Sequence, residues 1–244
     1  MGPGLDGATL FRAGRPEEAV EAVSAELRAD PANLRSRTFL FELLCFLGDY
    51  DRAEKHLDII ARSSSDAEMG AWMYRTALHA ERTRQEMFDA DAFPTASPEP
   101  RPPSGVLNGT AFETLTDADP RIGARLELFA AGQYTWIPFE QIESVAADPP
   151  ARIRDLLWIP ARVKVGADFT GMELGEVILP ALAPGSHRHP DPQVGLGRMT
   201  DWVETEGVEG GIPVGQKLLI VDGAEFPLLE LRELRIDAPS ASKS

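Results

Sequence analysis

Four histidines, one cysteine and several clustered carboxylates are the residues of this chain with chemistry to offer. His187, His189 and Asp191 flank Arg188, and imidazoles with a carboxylate can ligate a metal. A working site needs three or four convergent ligands with partners behind them. Pro184, Gly185, Pro190 and Pro192 surround this run, so a polar loop is the plainer reading. Glu113, Asp117 and Asp119 bring carboxylates close together, as general acid–base work requires. Aspartates also accept backbone N–H groups in turns, which is the simpler role for Asp117-Ala118-Asp119. Cys45 lies between Leu44 and Phe46 with no base nearby in sequence. It suits a small buried apolar group better than a nucleophile. Gly195-Leu196-Gly197 opens like a dinucleotide loop, but Thr200 stands where the third glycine belongs. Phosphate-loop, GxSxG and HExxH patterns are missing. The residues predict no catalytic centre, no cofactor site and no metal site.

Composition narrows the partners. The 244 residues, 43% hydrophobic and 26% charged, allow one large domain or two small ones. A single cysteine excludes an internal disulfide. The net charge of −15 repels nucleic-acid phosphates and anionic membrane surfaces. The longest strongly apolar stretch, Thr38 to Leu47, carries Glu42 and is too short to cross a bilayer. With no apolar leader at its start, the chain is expected in the cytoplasm.

Proline and glycine divide the chain. Between Pro31 and Pro94 there is no proline, and glycine occurs only at Gly48 and Gly70. From Pro94 the sequence PTASPEPRPP cannot continue a helix. The expected organisation is a helical domain over 1–93, a Pro-rich linker over 94–107, a β-rich domain over 108–237 and a disordered tail over 238–244. The first part repeats itself: Gly14 and Gly48, Ala19 and Ala53, and Val23 and Leu57 are each 34 residues apart. That period and pattern resemble the tetratricopeptide repeat. Ala19, Val20, Val23 and Leu27, then Ala53, Leu57, Ile60 and Ala61, fall on single helical faces. A further helix spans Leu34 to Leu47, and another runs from about Asp66 to about Phe88. Such a stub of two and a half units needs a cap, which the second half can supply.

The second half reads as short strands. Leu126 to Ala130 and Tyr134 to Ile137 flank Ala131-Gly132-Gln133, a hairpin signal. Arg152 to Leu157 suggests about a turn and a half of helix, and Trp158 to Val165 and Glu173 to Leu179 suggest strands. Asp222-Gly223 favours a type I′ turn between the last strands. The fold class expected is α+β: tetratricopeptide-like helical hairpins packed on a mostly antiparallel barrel or sandwich.

A repeat stub turns its first helices toward a concave face that can hold an amphipathic helix. The repeat template puts Arg35, Thr38, Glu42, Cys45 and Phe46 there, and one period later Met69, Trp72, Thr76 and His79. Trp72 is the best anchor, since a rigid aromatic offers large contact area with few rotors. In the competing arrangement, Trp72 and Phe46 pack against the second half. A third option is docking on an exposed edge strand.

The stretch NGTAFETLTDADPRIGARLELFAAGQYTWIPFEQI from Asn108, then DPPARIRDLLWIPARV, then GQKLLIVDGAEFPLLELREL, is similar to the ImpE family, whose members are also called TagJ or SciE-type proteins. The resemblance runs from about Leu10 to Arg235. It rests on Asn108-Gly109, the Asp117-Ala118-Asp119 turn, Trp136-Ile137-Pro138-Phe139, Arg154-Asp155-Leu156-Leu157-Trp158, and Asp222-Gly223 followed by Phe226-Pro227. It implies a non-catalytic cytoplasmic adaptor in bacterial type VI secretion. The implied partners are the small subunit of the contractile sheath, through its N-terminal helical segment, and the AAA+ ATPase that disassembles contracted sheath. The residues alone also allow a helical-repeat scaffold of another complex, or an enzyme using Asp117, Asp119 or the His187/His189 loop.

Overall fold

The computed structural model describes residues 5–94, 99–166, 169 and 174–237. Residues 95–98 of the proline segment, Glu173 and the expected tail over 238–244 lie outside the described residues. Among the described residues five helices come first, followed by thirteen strands: the helices are α1 (Gly7–Arg12), α2 (Pro16–Ala29), α3 (Leu34–Phe46), α4 (Tyr50–Ala61) and α5 (Ser65–Asp89). Their starts are set by side-chain caps. Asp6, Asn33, Asp49 and Ser64 each accept the backbone N–H three residues on. The repeat residues act as their spacing requires. Ala19 and Ala53 are fully buried where neighbouring helices pack, and Val23 and Leu57 join them in the core.

Gly48 illustrates why the repeat needs glycine. Its φ is +70°, and a Cβ there would lie 2.4 Å from Cδ2 of His187. The Gly48→Ala variant is therefore expected to lose about 1–3 kcal/mol of stability, from left-handed strain and displacement of the imidazole. Urea unfolding measures this directly, and a loss below ~0.3 kcal/mol would show that the loop yields freely.

The strands are β1 (Gly105–Leu107), β2 (Thr110–Phe112), β3 (Leu115–Asp117), β4 (Arg125–Ala130), β5 (Gln133–Pro138), β6 (Ile142–Ala147), β7 (Trp158–Val165), β8 (Gly175–Pro180), β9 (Thr200–Thr205), β10 (Val208–Gly215), β11 (Leu218–Val221), β12 (Ala224–Pro227) and β13 (Glu233–Ile236). A short helix, α6 (Pro192–Gly195), precedes β9. Eight strands form an antiparallel sheet in the order β2-β1-β13-β6-β7-β8-β4-β5. Three more form the sheet β12-β11-β3, and β10-β9 make a separate ribbon. The expected barrel does not close, because β2 and β5 end the large sheet and its inner face is covered by the small one. The result is sandwich-like: Leu126, Val145 and Leu179 share one core with Leu115, Leu219 and Leu228. The hairpins at Ala131-Gly132 and Asp222-Gly223 turn with positive φ at both residues, as type I′ geometry demands.

Period-two alternation explains how the halves join. Along β4, Leu126 and Leu128 enter the sheet core, while Glu127 and Phe129 face the other way. Phe129 and Trp158 belong to the same apolar cluster as Phe41, Leu44 and Leu78 of the helices. The second half thus closes the open helical stub through a shared core.

Candidate functional site

Two features stand out: a buried charged network between the halves, and the concave helical face with what fills it. Arg84 of α5 is fully buried and donates Nε and Nη2 to the two Glu127 oxygens, each at 2.8 Å. It also donates to Glu81 at 3.1 Å and to the Leu182 carbonyl at 2.8 Å. Lys217, just before β11, places Nζ 2.5 Å from Glu127 and 2.6 Å from Asp117. Tyr134 donates its hydroxyl to Glu127 at 2.7 Å and accepts from the Trp136 indole. Gln85 and Trp158 donate to Glu81 at 2.7 and 3.3 Å. Every charge here has an opposite partner, which is what burial of ions demands.

The network explains two opposed titrations. Burial raises the Asp117 carboxyl; Lys217 pulls it back and Glu127 repels it, leaving it pushed up to about 6. Burial acts on Glu127 in the same sense, but Arg84 and Lys217 outweigh it and bring that carboxyl down to about 2. The signs differ in consequence. Stability from Glu127 is present above about pH 4.5 and is lost as pH falls toward 2. Ionising Asp117 costs the folded state more than the unfolded one, so its contribution falls as pH rises from about 4 to 6. Wild type is therefore expected to lose about 1–3 kcal/mol relative to Asp117→Asn across that window. Parallel stability curves for the two proteins over that window would contradict this account of Asp117.

This network and its surroundings absorb Asp117 and Asp119, while Glu113 is exposed. Asp117 accepts the backbone N–H of Asp119 at 2.9 Å, as a turn aspartate does. Asp119 is buried against the Arg121 guanidinium, 2.6 Å away. The histidine loop is likewise engaged. His187 packs edge-on against Tyr50, with ring centroids 6.2 Å apart. His189 lies 3.2 Å from Asp201, and Arg188 pairs with Asp89 at 2.6 Å. Among the described residues no three His, Cys, Asp or Glu side chains converge to hold a metal. Cys45 is buried, and burial pushes its thiol well above the ordinary range, so the protonated form packs as an apolar group.

The concave face is partly occupied by the chain itself. The 3-10 turn Ile153–Leu156, held by Asp155 accepting the N–H groups of Ala151 and Arg152, sits against it. From this turn Arg154 reaches Glu42 at 3.1 Å and lies 4.9 Å over the Tyr74 ring. Burial raises the Glu42 carboxyl despite Arg154. Two grooves remain. One, about 670 Å³, is bordered by Arg35, Thr38, Glu42, Phe39, Val23 and Ile153. The other, about 610 Å³, lies between α5 and the large sheet and is bordered by Trp72, Met73, Thr76, Phe129, Trp158 and Ile178.

The sequence-derived surface residues therefore separate. Arg35 and Thr38 border the first groove, with Thr38 also bonding the Leu34 carbonyl at 2.9 Å. Glu42 is buried in its ion pair, and Phe46 is 2% exposed and packs on Phe11. Phe46 offers no free surface, and Glu42 meets the first groove only beside its Arg154 partner. Trp72 is 59% exposed at the rim of the second groove, with Met69 exposed one turn before it. Thr76 lies beneath the β4–β5 turn at Gly132, and His79 is exposed. Arg84, Glu127 and Lys217 were not singled out by the sequence. The available signal was Glu127 among the apolar residues of RLELFA, a charge where a strand is buried on both faces.

Fold and site together define a class: a tetratricopeptide-type helical stub closed by an antiparallel sandwich, with the buried charges between its halves paired to one another and open grooves on its concave side. Comparison with known proteins agrees. Residues 10–71 match a tetratricopeptide repeat family, and residues 109–235 match the family described as ImpE protein. The chain is 30% identical over 265 aligned positions to the type VI secretion system accessory component TagJ of Pseudomonas aeruginosa, covering 95% of this chain and 91% of that protein. The chain belongs to the ImpE family. The crystal structure of protein VPA1032 from Vibrio parahaemolyticus has the same fold, with a TM-score of 0.84 at 21% identity over 96% of this chain and 98% of that one. No helix among the described residues is long and apolar enough to cross a membrane.

Proposed function

We propose that this chain is a non-catalytic accessory protein of a bacterial type VI secretion system, acting in the cytoplasm as an adaptor. Its family and the name of its Pseudomonas relative support the system. In this reading the groove between α5 and the large sheet holds the N-terminal helical segment of the small sheath subunit. The carrying observation is Trp72. A large, rigid, mostly exposed aromatic stands at the rim of an apolar groove floored by Phe129, Trp158 and Ile178. Such residues dominate helix-in-groove interfaces. Among the described residues no second helix completes the repeat unit that α5 begins, so its outer face accepts one from elsewhere. Contact with the sheath-disassembling AAA+ ATPase follows directly or through the bound subunit.

The test is recovery from the native host with tagged protein, wild type beside Trp72→Ala, read by mass spectrometry. Recovery of the small sheath subunit by wild type and its loss in the variant are expected. Recovery by both moves the site off the groove, and absence of sheath and ATPase from both sinks the assignment.

A further inference from the structure

We propose that strand β9 is a second docking surface, for a basic segment of a partner protein that carries arginine or lysine beside apolar side chains. The ribbon β9–β10 is a sheet of its own. Its inner strand, β10, packs on α6 and the turn Ser186–Arg188, and Ile212 is buried there. Its outer strand is open among the described residues: every residue from Asp201 to Thr205 is exposed, His189 touches it only at Asp201, and β9 pairs on one side only. A two-stranded ribbon of this kind is marginal in water by itself. Here it is tied down at its base. Arg198 donates to the carbonyls of Phe11 at 2.6 Å and Arg12 at 3.0 Å, and Thr200 donates to the Gln216 carbonyl at 2.7 Å. The strand is thus held in position while its own outer surface stays bare.

That surface combines apolar area with one sign of charge. Met199, Trp202 and Val203 are exposed, Trp202 at 37%. Asp201, Glu204 and Glu206 are exposed around them, and residues 199–216 contain no lysine or arginine. Two occupants can be compared on charge. A second copy would set these carboxylates against the same carboxylates, and like charges opposed across strands are destabilising. A basic segment meets no such penalty. A guanidinium can bond the carboxylates and lie on the Trp202 ring, while neighbouring apolar side chains cover Val203 and Met199. None of these residues borders either concave groove. The surface therefore stands independently of the sheath-subunit reading.

The probe is a labelled peptide of alternating arginine and valine, titrated by fluorescence anisotropy against the full chain at moderate salt. Because the whole protein is acidic, charge reversal elsewhere supplies the control: Glu21→Lys/Glu225→Lys, both exposed and carried by α2 and β12, outside the ribbon. Trp202→Ala and Glu204→Lys/Glu206→Lys are each expected to weaken binding about tenfold, and the control to change it less than about twofold. The charge-reversal pair changes only exposed side chains, so it remains informative if Trp202→Ala perturbs the ribbon. Three outcomes overturn the proposal: no binding of the peptide, equal weakening by the control, or a self-associated dimer in ultracentrifugation that Trp202→Ala dissociates.

Discussion

Glu127→Gln should cost the chain about 3–5 kcal/mol of stability, the penalty typical of breaking a buried ion pair from one side. Glu127 is fully buried and is the only carboxylate that touches both Arg84 and Lys217 among the described residues. A glutamine there leaves two buried cations sharing Glu81 and Asp117, and it cannot accept on both oxygens from Arg84. It also turns an N–H₂ toward groups that are themselves donors, Tyr134 among them. The contact between α5 and β4 should loosen in consequence, since Arg84 ties the two together, while the shared apolar core still holds the halves. The scale is set by contrast with the half-exposed Arg75–Asp58 pair, whose loss should cost under about 1 kcal/mol. Urea unfolding of Glu127→Gln against wild type measures the difference. A loss below about 1 kcal/mol would mean that the network relaxes and does not join the halves.

Trp72→Ala should do the opposite: leave folding nearly unchanged and remove binding. Trp72 is mostly exposed, so truncation should alter stability by less than about 0.5 kcal/mol. At the centre of an interface the same truncation typically costs about 2 kcal/mol or more, roughly a thirtyfold loss of affinity. A substitution that is silent in urea and severe in binding identifies a contact surface. A severe loss of stability would instead mean that Trp72 holds α5 against the sheet.

The helical half was legible because its code is local. Gly48 and Ala53 report a tight turn and a close crossing through their own size and backbone, wherever the rest of the chain lies. The α3 and α5 spans followed from uninterrupted periodicity between prolines. The hairpins at Ala131-Gly132 and Asp222-Gly223 were legible for the same reason, since their turn geometry depends on two adjacent residues. The pairing of β13 between β1 and β6 was not, because β13 meets strands roughly 130 and 90 residues earlier in the chain there. The same limit hid the network. Arg84 and Lys217 look like ordinary surface charges until three elements bring them to Glu127, whose apolar neighbours alone hinted at burial. It also hid the burial of Phe46 against Phe11 and the ion pair of Glu42, since nothing local announces that Phe11 and Arg154 come to meet them. Trp72, Met69 and Thr76 remained at or near the groove because their helix ends the array.

The central claim is that the groove at Trp72 holds a helical segment of the small sheath subunit. The direct measurement is calorimetric titration of the purified chain with that subunit, intact and lacking its N-terminal segment, and of Trp72→Ala with the intact subunit. The account predicts saturable binding of the intact subunit, no binding without the segment, and about thirtyfold weaker binding by the variant. Equal affinity of wild type and Trp72→Ala, or undiminished binding after the segment is removed, would contradict it.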